Sequence, residues 1–194
     1  MKNLLPSAIA FFAFFTSSTH AQTWQLDKSH SFVNFAITHM VVSETTGSFK
    51  DFTATVDAKE DDFSDLITTF TIQTKSINTD DEKRDGHLRN TDFFDVEKYP
   101  TITFTSTAFK KTEGNKYKLY GKMTMKGVTK EVVWDTKYIG TLKMANGKSK
   151  AGFKCSAEIK RSDFNMSWNK VLDVGGLALS DEVEITVNIE LNKQ

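Results

Sequence analysis

The strongest constraint on this 194-residue chain is a two-residue alternation that runs through most of its length. It is clearest near the C-terminus. Val183, Ile185, Val187, Ile189 and Leu191 fall on one side, and Glu182, Glu184, Thr186, Asn188 and Glu190 on the other. Successive side chains of an extended strand point to opposite faces, so this pattern predicts strands with one buried and one wet face. The same alternation sets Phe153, Cys155, Ala157 and Ile159 against Lys154, Ser156, Glu158 and Lys160. It sets Val33, Phe35 and Ile37 against Asn34, Ala36 and Thr38. Leu66, Phe70 and Ile72 form a further stripe, as do Ile102, Phe104 and Ala108, and Tyr117, Leu119, Met123 and Met125.

The pattern predicts eight strands, near 23–39, 47–57, 66–76, 101–109, 116–126, 128–139, 150–160 and 182–192, with turn signals at Gly114-Asn115, Lys126-Gly127 and Asn146-Gly147. Two strands are irregular. Phe49 and Phe52 differ in parity, which points to a bulge within 47–57. In 128–139, Val132, Trp134 and Tyr138 share one side while Val133 and Ile139 take the other. One segment leaves the pattern. Thr79-Asp80-Asp81-Glu82 has capping-box spacing and predicts a short helix to about Leu88, with Asp81/Arg84 and Asp85/Arg89 spaced for ion pairs. After it, Phe93 and Phe94 are expected to seal a barrel mouth or pack beneath the connection.

Eight antiparallel strands tend to close, because closure removes unpaired edges. The face opposite the apolar stripes carries Lys116, Lys118, Lys122, Lys126, Lys154 and Lys160. A lysine at a bilayer midplane costs about 2–4 kcal/mol, so the apolar face must turn inward and stable membrane insertion is excluded. The expected fold is all-β: an eight-stranded antiparallel lipocalin-like barrel with a short helical excursion between strands 3 and 4. Such a barrel is wide enough to be filled by its own side chains or to hold one small ligand. The inward stripes mix Phe and Met with Ala and Gly, and leave both outcomes open.

The balance of 25 basic and 25 acidic residues excludes binding to nucleic acid through phosphate neutralisation. A lone cysteine excludes an internal disulfide. Lys2, the greasy run Leu4–Phe15 and Thr19-His20-Ala21 have the layout of an export signal. We expect residues 1–21 to be cleaved, leaving one domain over 22–194.

Catalytic and metal chemistry find little support. His30 and His39 sit nine residues apart on one predicted strand, on opposite faces, and cannot share a metal there. Asp27, Ser29, His30 and Ser31 have the residue types of a hydrolase triad, but neighbouring positions point apart. Lys83, Arg84, His87 and Arg89 could meet a polar head group, but their acidic neighbours favour a neutralised helix. Cys155 has inward parity and reads as a small buried hydrophobe. No cofactor is expected.

Several separated motifs resemble the YceI-like family: His30-Ser31-Phe32-Val33-Asn34-Phe35, His39-Met40-Val41-Val42-Ser43, the run from Arg84 to Pro100, Gly127-Val128-Thr129-Lys130, Arg161-Ser162-Asp163-Phe164, Trp168-Asn169-Lys170, and Gly175-Gly176 with Asp181-Glu182-Val183. The resemblance implies a barrel exported to the periplasm, with an elongated apolar tunnel that holds a polyisoprenoid, or a quinone-like or similar amphiphile, for storage or transport. On its inward faces the candidate ligand-binding residues are Val33, Phe35, Ile37, His39, Phe70, Ile72, Ile102, Phe104, Leu119, Met123, Met125, Trp134, Phe153, Cys155, Ala157 and Val187. Two positions depart from the family pattern. Asn165 stands where Gly is usual, so a different backbone is expected there, and Thr46 stands where a basic residue is common, which removes one anion contact. Two readings stay open beside the carrier: an enzyme acting on a bound quinone or lipid, with His39 or the helix bases as acid–base groups, and a filled barrel serving as an interaction module. A homodimer is also left open.

Overall fold

A computed structural model describes residues 22–60, 62–173 and 175–193; the leader expected at 1–21 lies outside them. The strands are β1 (Gln22–Leu26), β2 (Phe32–His39), β3 (Ser43–Phe49), β4 (Phe52–Ala58), β5 (Ile67–Gln73), β6 (Ile77–Asn78), β7 (Thr101–Glu113), β8 (Lys116–Met125), β9 (Val128–Lys143), β10 (Ser149–Lys160) and β11 (Leu179–Lys193). The helix α1 (Glu82–Arg89) lies between β6 and β7. All strand pairings are antiparallel, in the order β1-β4-β5-β7-β8-β9-β10-β11-β2-β3-β6, and β1 also pairs with β11. That last pairing closes a ring of eight strands.

The segment expected as one strand at 23–39 is two, β1 and β2, separated by a 3-10 turn at Lys28–His30. Asp27 caps this turn by accepting a hydrogen bond from the Ser29 amide. His30 therefore lies on the turn and shares no strand with His39. The opposite parity of Phe49 and Phe52 has a similar origin. It marks the corner between β3 and β4 rather than a bulge, and both rings are buried. Each broken pair spans the barrel as one long bent strand, so the expected eight-fold architecture holds.

The pairing register defines two ends. At one, β1 reaches the end of β11, with Trp24 opposite Lys193. At the other, β2 ends with His39 opposite Leu179. At this second end β3 pairs with β2 along one edge, but along its other edge only with the two residues of β6, so the wall is open between β3 and β7. Helix α1 and the following connection fill that opening. Arg89 donates from Nε to the Lys75 carbonyl and from Nη2 to the Ile77 carbonyl. Lys126 donates from Nζ to the Thr91 carbonyl, and Phe94 meets Phe49 edge-on. These contacts replace the expected Asp85/Arg89 pair. Asp85 is buried and instead accepts from the amide and hydroxyl of Thr79. The helix cap is Asp81, which accepts from the Arg84 amide, and not Thr79.

Two irregularities re-aim side chains. The β9–β10 register shifts so that Gly152 faces Gly140 while Phe153 faces Tyr138. The skipped residue, Ile139, is 60% exposed, and Tyr138 and Phe153 both turn inward. A bulge in β7 between Ser106 and Ala108 reverses parity beyond it. Phe109, and not Ala108 as expected, then joins the inner face and stacks on Tyr117. Asn165 takes the left-handed conformation at φ 59°, closing the 3-10 turn Arg161–Phe164. Asparagine tolerates that region better than most residues, so this position takes a left-handed backbone without glycine.

Candidate functional site

The barrel encloses a cavity of about 410 Å³, within the range of about 300–1,000 Å³ common for small-molecule sites. Phe35, Met123 and Ile185 all face it, so the apolar stripes do turn inward. Of the predicted residues, Val33, Phe35, Ile37, His39, Phe70, Ile72, Ile102, Phe104, Leu119, Met123, Met125, Trp134, Phe153, Cys155 and Val187 line the cavity. Ala157 does not; it is buried in the wall, and its single methyl group stops short.

The floor is Phe153, which lines the cavity, backed by a cluster of rings. Phe63 packs on Trp24 at 5.0 Å, on Phe153 at 5.0 Å and on Tyr138 at 5.6 Å between centroids. Phe63 comes from the β4–β5 loop, is 1% exposed and has φ of 60°. No alternation announces it, because it stands alone in a run of acids. Positive φ is rarely adopted by a bulky residue, and the burial of its ring offsets that cost.

Midway, the wall carries a few polar groups. Thr136 is buried and donates from Oγ1 to Cys155 Sγ at 3.5 Å. Burial pushes the Cys155 thiol up to about 11, against a weaker opposing effect of the Thr136 bond. The thiolate is the reactive form, so this shift works against reactivity of the sulfur at neutral pH. Trp134 is 7% exposed, and its Nε1–H is a buried polar atom without a hydrogen-bond partner among the described residues. Its ring meets Phe104 in a T-shape at 6.0 Å.

The mouth is polar and aromatic. Arg84 donates from Nε to Thr79 Oγ1 and from Nη2 to the Thr79 carbonyl, both at 2.8 Å. Arg161 donates to the carbonyls of Ser180, Met166 and Trp168, each at 2.8 Å. Burial lowers its pKa, and Asp181 opposes that shift. Both guanidiniums spend donors on the protein, so they hold the rim in shape while placing positive charge beside the opening. His87 Nε2 lies 2.9 Å from Asp92 Oδ2. Its ring stands edge-on to Phe93 at 5.0 Å and to Trp168 at 4.8 Å. Phe93, His87 and Trp168 thus bridge the helical excursion to the β10–β11 connection across the opening. Arg161, Trp168 and Phe109 line the cavity but were not predicted to, because none lies on a regular alternating stripe.

Outside the barrel, Asp27, His30 and Glu190 offer ligand atoms within 4.8 Å of one another. Lys150 already supplies the cation, at 3.0 Å from Asp27 and in contact with Glu190. Ser31 Oγ bonds to the Glu190 backbone and not to His30, so the triad residue types do not assemble.

A protein-family model described as "YceI-like domain" matches residues 24–191. Protein YceI of Salmonella newport is 39% identical over 191 residues, covering 97% of this chain and 96% of the relative. The crystal structure of the Campylobacter jejuni YCEI protein superposes with a TM-score of 0.71 at 36% identity, covering 87% of this chain and 96% of that one. A polyisoprenoid-binding domain from Saccharophagus degradans, implicated in plant cell wall breakdown, has a TM-score of 0.62 at 16% identity, covering 90% of this chain and all of that one.

Proposed function

Because this chain belongs to the YceI-like domain family, we propose that it is an exported carrier whose tunnel holds a polyisoprenoid or similar long-chain amphiphile, for storage or transport in the periplasm. The observation that carries this reading is the cavity itself, lined mainly by apolar side chains, with a few polar groups midway, aromatic rings packed at one end and charged groups at its mouth. An alkyl or prenyl tail gains by leaving water for such a space. The polar mouth orients the molecule, tail toward Phe63 and head toward Arg84 and Arg161. The Saccharophagus degradans domain shares the fold, and the lining of this chain's own tunnel supports the same class of ligand. The composition of residues 1–21 supports export.

The tunnel is read as a container, and no chemical step is assigned to its residues. At about 0.3 kcal/mol per non-hydrogen atom, every ten carbons that enter the tunnel add about 3 kcal/mol of binding, so a long tail is held tightly. Such a ligand survives purification. Organic extraction of the pure protein followed by mass spectrometry should recover a long-chain lipid at near one per chain. A charge placed inside the tunnel by Phe70→Lys should cut loading at least tenfold in protein that circular dichroism shows to be folded. An empty extract together with failed uptake of a prenyl lipid from detergent micelles would sink the carrier reading.

A further inference from the structure

Resting on the carrier reading, we propose that the rim of the tunnel mouth is a docking surface for a lipid bilayer. Two turns form it. The β2–β3 hairpin carries Met40, Val41 and Val42 at its tip, the last two 80% and 87% exposed. The β10–β11 connection carries Val171 and Leu177, which form a bridge with each other and are also exposed. The Met40 amide donates to the Ala178 carbonyl at 2.7 Å, which sets the two turns side by side. The neighbouring residues His39 and Leu179 line the tunnel, so the apolar tip is continuous with its opening. Contiguous exposed apolar surface of this kind marks an interaction site rather than ordinary scatter.

The hairpin chemistry sharpens the argument. Met40 and Val41 both have positive φ, at 52° and 66°. In this three-residue loop the Val42 amide donates to the His39 carbonyl, and a turn whose two central residues both have positive φ favours Asn-Gly, so a β-branched residue there is strained. This chain instead places two greasy side chains where water meets them. That choice is costly in solution on two counts, and a bilayer removes one of them by taking up the side chains. The flanking charges are of mixed sign, Glu44 beside one turn and Lys170 and Asp173 beside the other. Docking is therefore by shallow apolar insertion, not by attraction to anionic head groups. A bilayer is the occupant that fits, because an amphiphile could then pass from membrane to tunnel without crossing water.

The test uses the folded exported chain with phosphatidylcholine vesicles, alone or mixed with phosphatidylglycerol. The wild type should co-sediment with both, and raised salt should not release it. The double variant Val41→Asp/Val42→Asp should lose co-sedimentation and transfer a prenyl lipid from vesicles at least tenfold more slowly. Its loading from detergent micelles should equal that of the wild type. Ile139→Asp, at a residue also exposed but toward the far end, should behave as wild type. Equal vesicle binding and transfer by the double variant and wild type would overturn the proposal. So would binding confined to phosphatidylglycerol and abolished by salt, or a wild-type dimer that the double substitution dissolves without affecting vesicle binding. A failure of micelle loading in both proteins strikes at the carrier reading, while co-sedimentation still reports on docking.

Discussion

The two ends of the barrel are both blocked by aromatic rings, but by different physics. At the floor, Phe63 is wholly buried against Trp24, Tyr138 and Phe153, beneath a ring of eight strands that hydrogen-bonds all the way round. At the mouth, His87 and Trp168 meet edge-on across a break in the wall, and arginines bonded to main-chain carbonyls hold the surrounding loops. Closing a ring of strands leaves a rigid stop. Filling a gap with a helix and two loops leaves a door made of few contacts. Segments held by few buried contacts open at low free-energy cost, so entry and exit belong to the mouth.

The largest expected effect attacks the floor. Phe63→Ala should cost about 3–5 kcal/mol, as large-to-small substitutions of buried rings do, read from denaturant unfolding. Trp168→Ala, at the half-buried mouth, should cost less than half of that. Equal losses would refute the asymmetry between the ends.

A pair of glycines sharpens the comparison within the tunnel wall. A methyl group added at Gly121 would lie 2.3 Å from the Phe104 ring and 2.5 Å from the Thr105 carbonyl oxygen. Backbone cannot swing aside, so Gly121→Ala should destabilise by about 1–3 kcal/mol. At Gly47 the near atoms are the far end of the Phe35 ring, at 2.4 Å, and the Thr79 methyl. Phe35 borders the cavity and can yield into it. Gly47→Ala should therefore reduce lipid loading with a smaller loss of stability. If Gly47→Ala loads normally, the ring has another place to go and the wall is softer than described.

The smallest expected effect concerns acid. Near the floor, on the outer surface, Lys150 grips Asp27 and Glu190 and holds the Asp27 carboxyl far below the usual carboxylate range. A carboxyl whose folded pKa is depressed stabilises the fold above its unfolded value of about 3.9, and that contribution fades as pH falls below it. Unfolding midpoints between about pH 5 and pH 2 should fall less steeply in Asp27→Asn than in the wild type. Identical slopes would show that this half-buried clasp does nothing for the floor.

Much of the barrel was legible because period two is simple to read where strands are long and regular. Tyr117, Leu119, Met123 and Met125 on β8, and Val187 and Leu191 on β11, all sit on the inner side as their alternation requires. Legibility failed where one residue of phase was gained or lost. The bulge at Ser106–Ala108 exchanges Ala108 for Phe109, and the corner at Lys50-Asp51 let Phe49 and Phe52 look like a fault in one strand. The mouth was harder still. Asp85 reads as a surface partner for Arg89 by spacing, but it lies buried beneath Thr79. Helical spacing records what could meet along a helix and not what lies under it. Phe63 and Arg161 belong to segments without periodicity, whose place is decided by contacts from distant strands.

The three tryptophans occupy three stations along the barrel: Trp24 in the floor, Trp134 halfway up with its indole N–H unpaired among the described residues, and Trp168 in the door. Indole emission responds to polarity and to hydrogen bonding, so the molecule carries its own optical depth gauge. Single-tryptophan versions would tell, without any added dye, how far a guest has descended and whether the entrance has shut behind it.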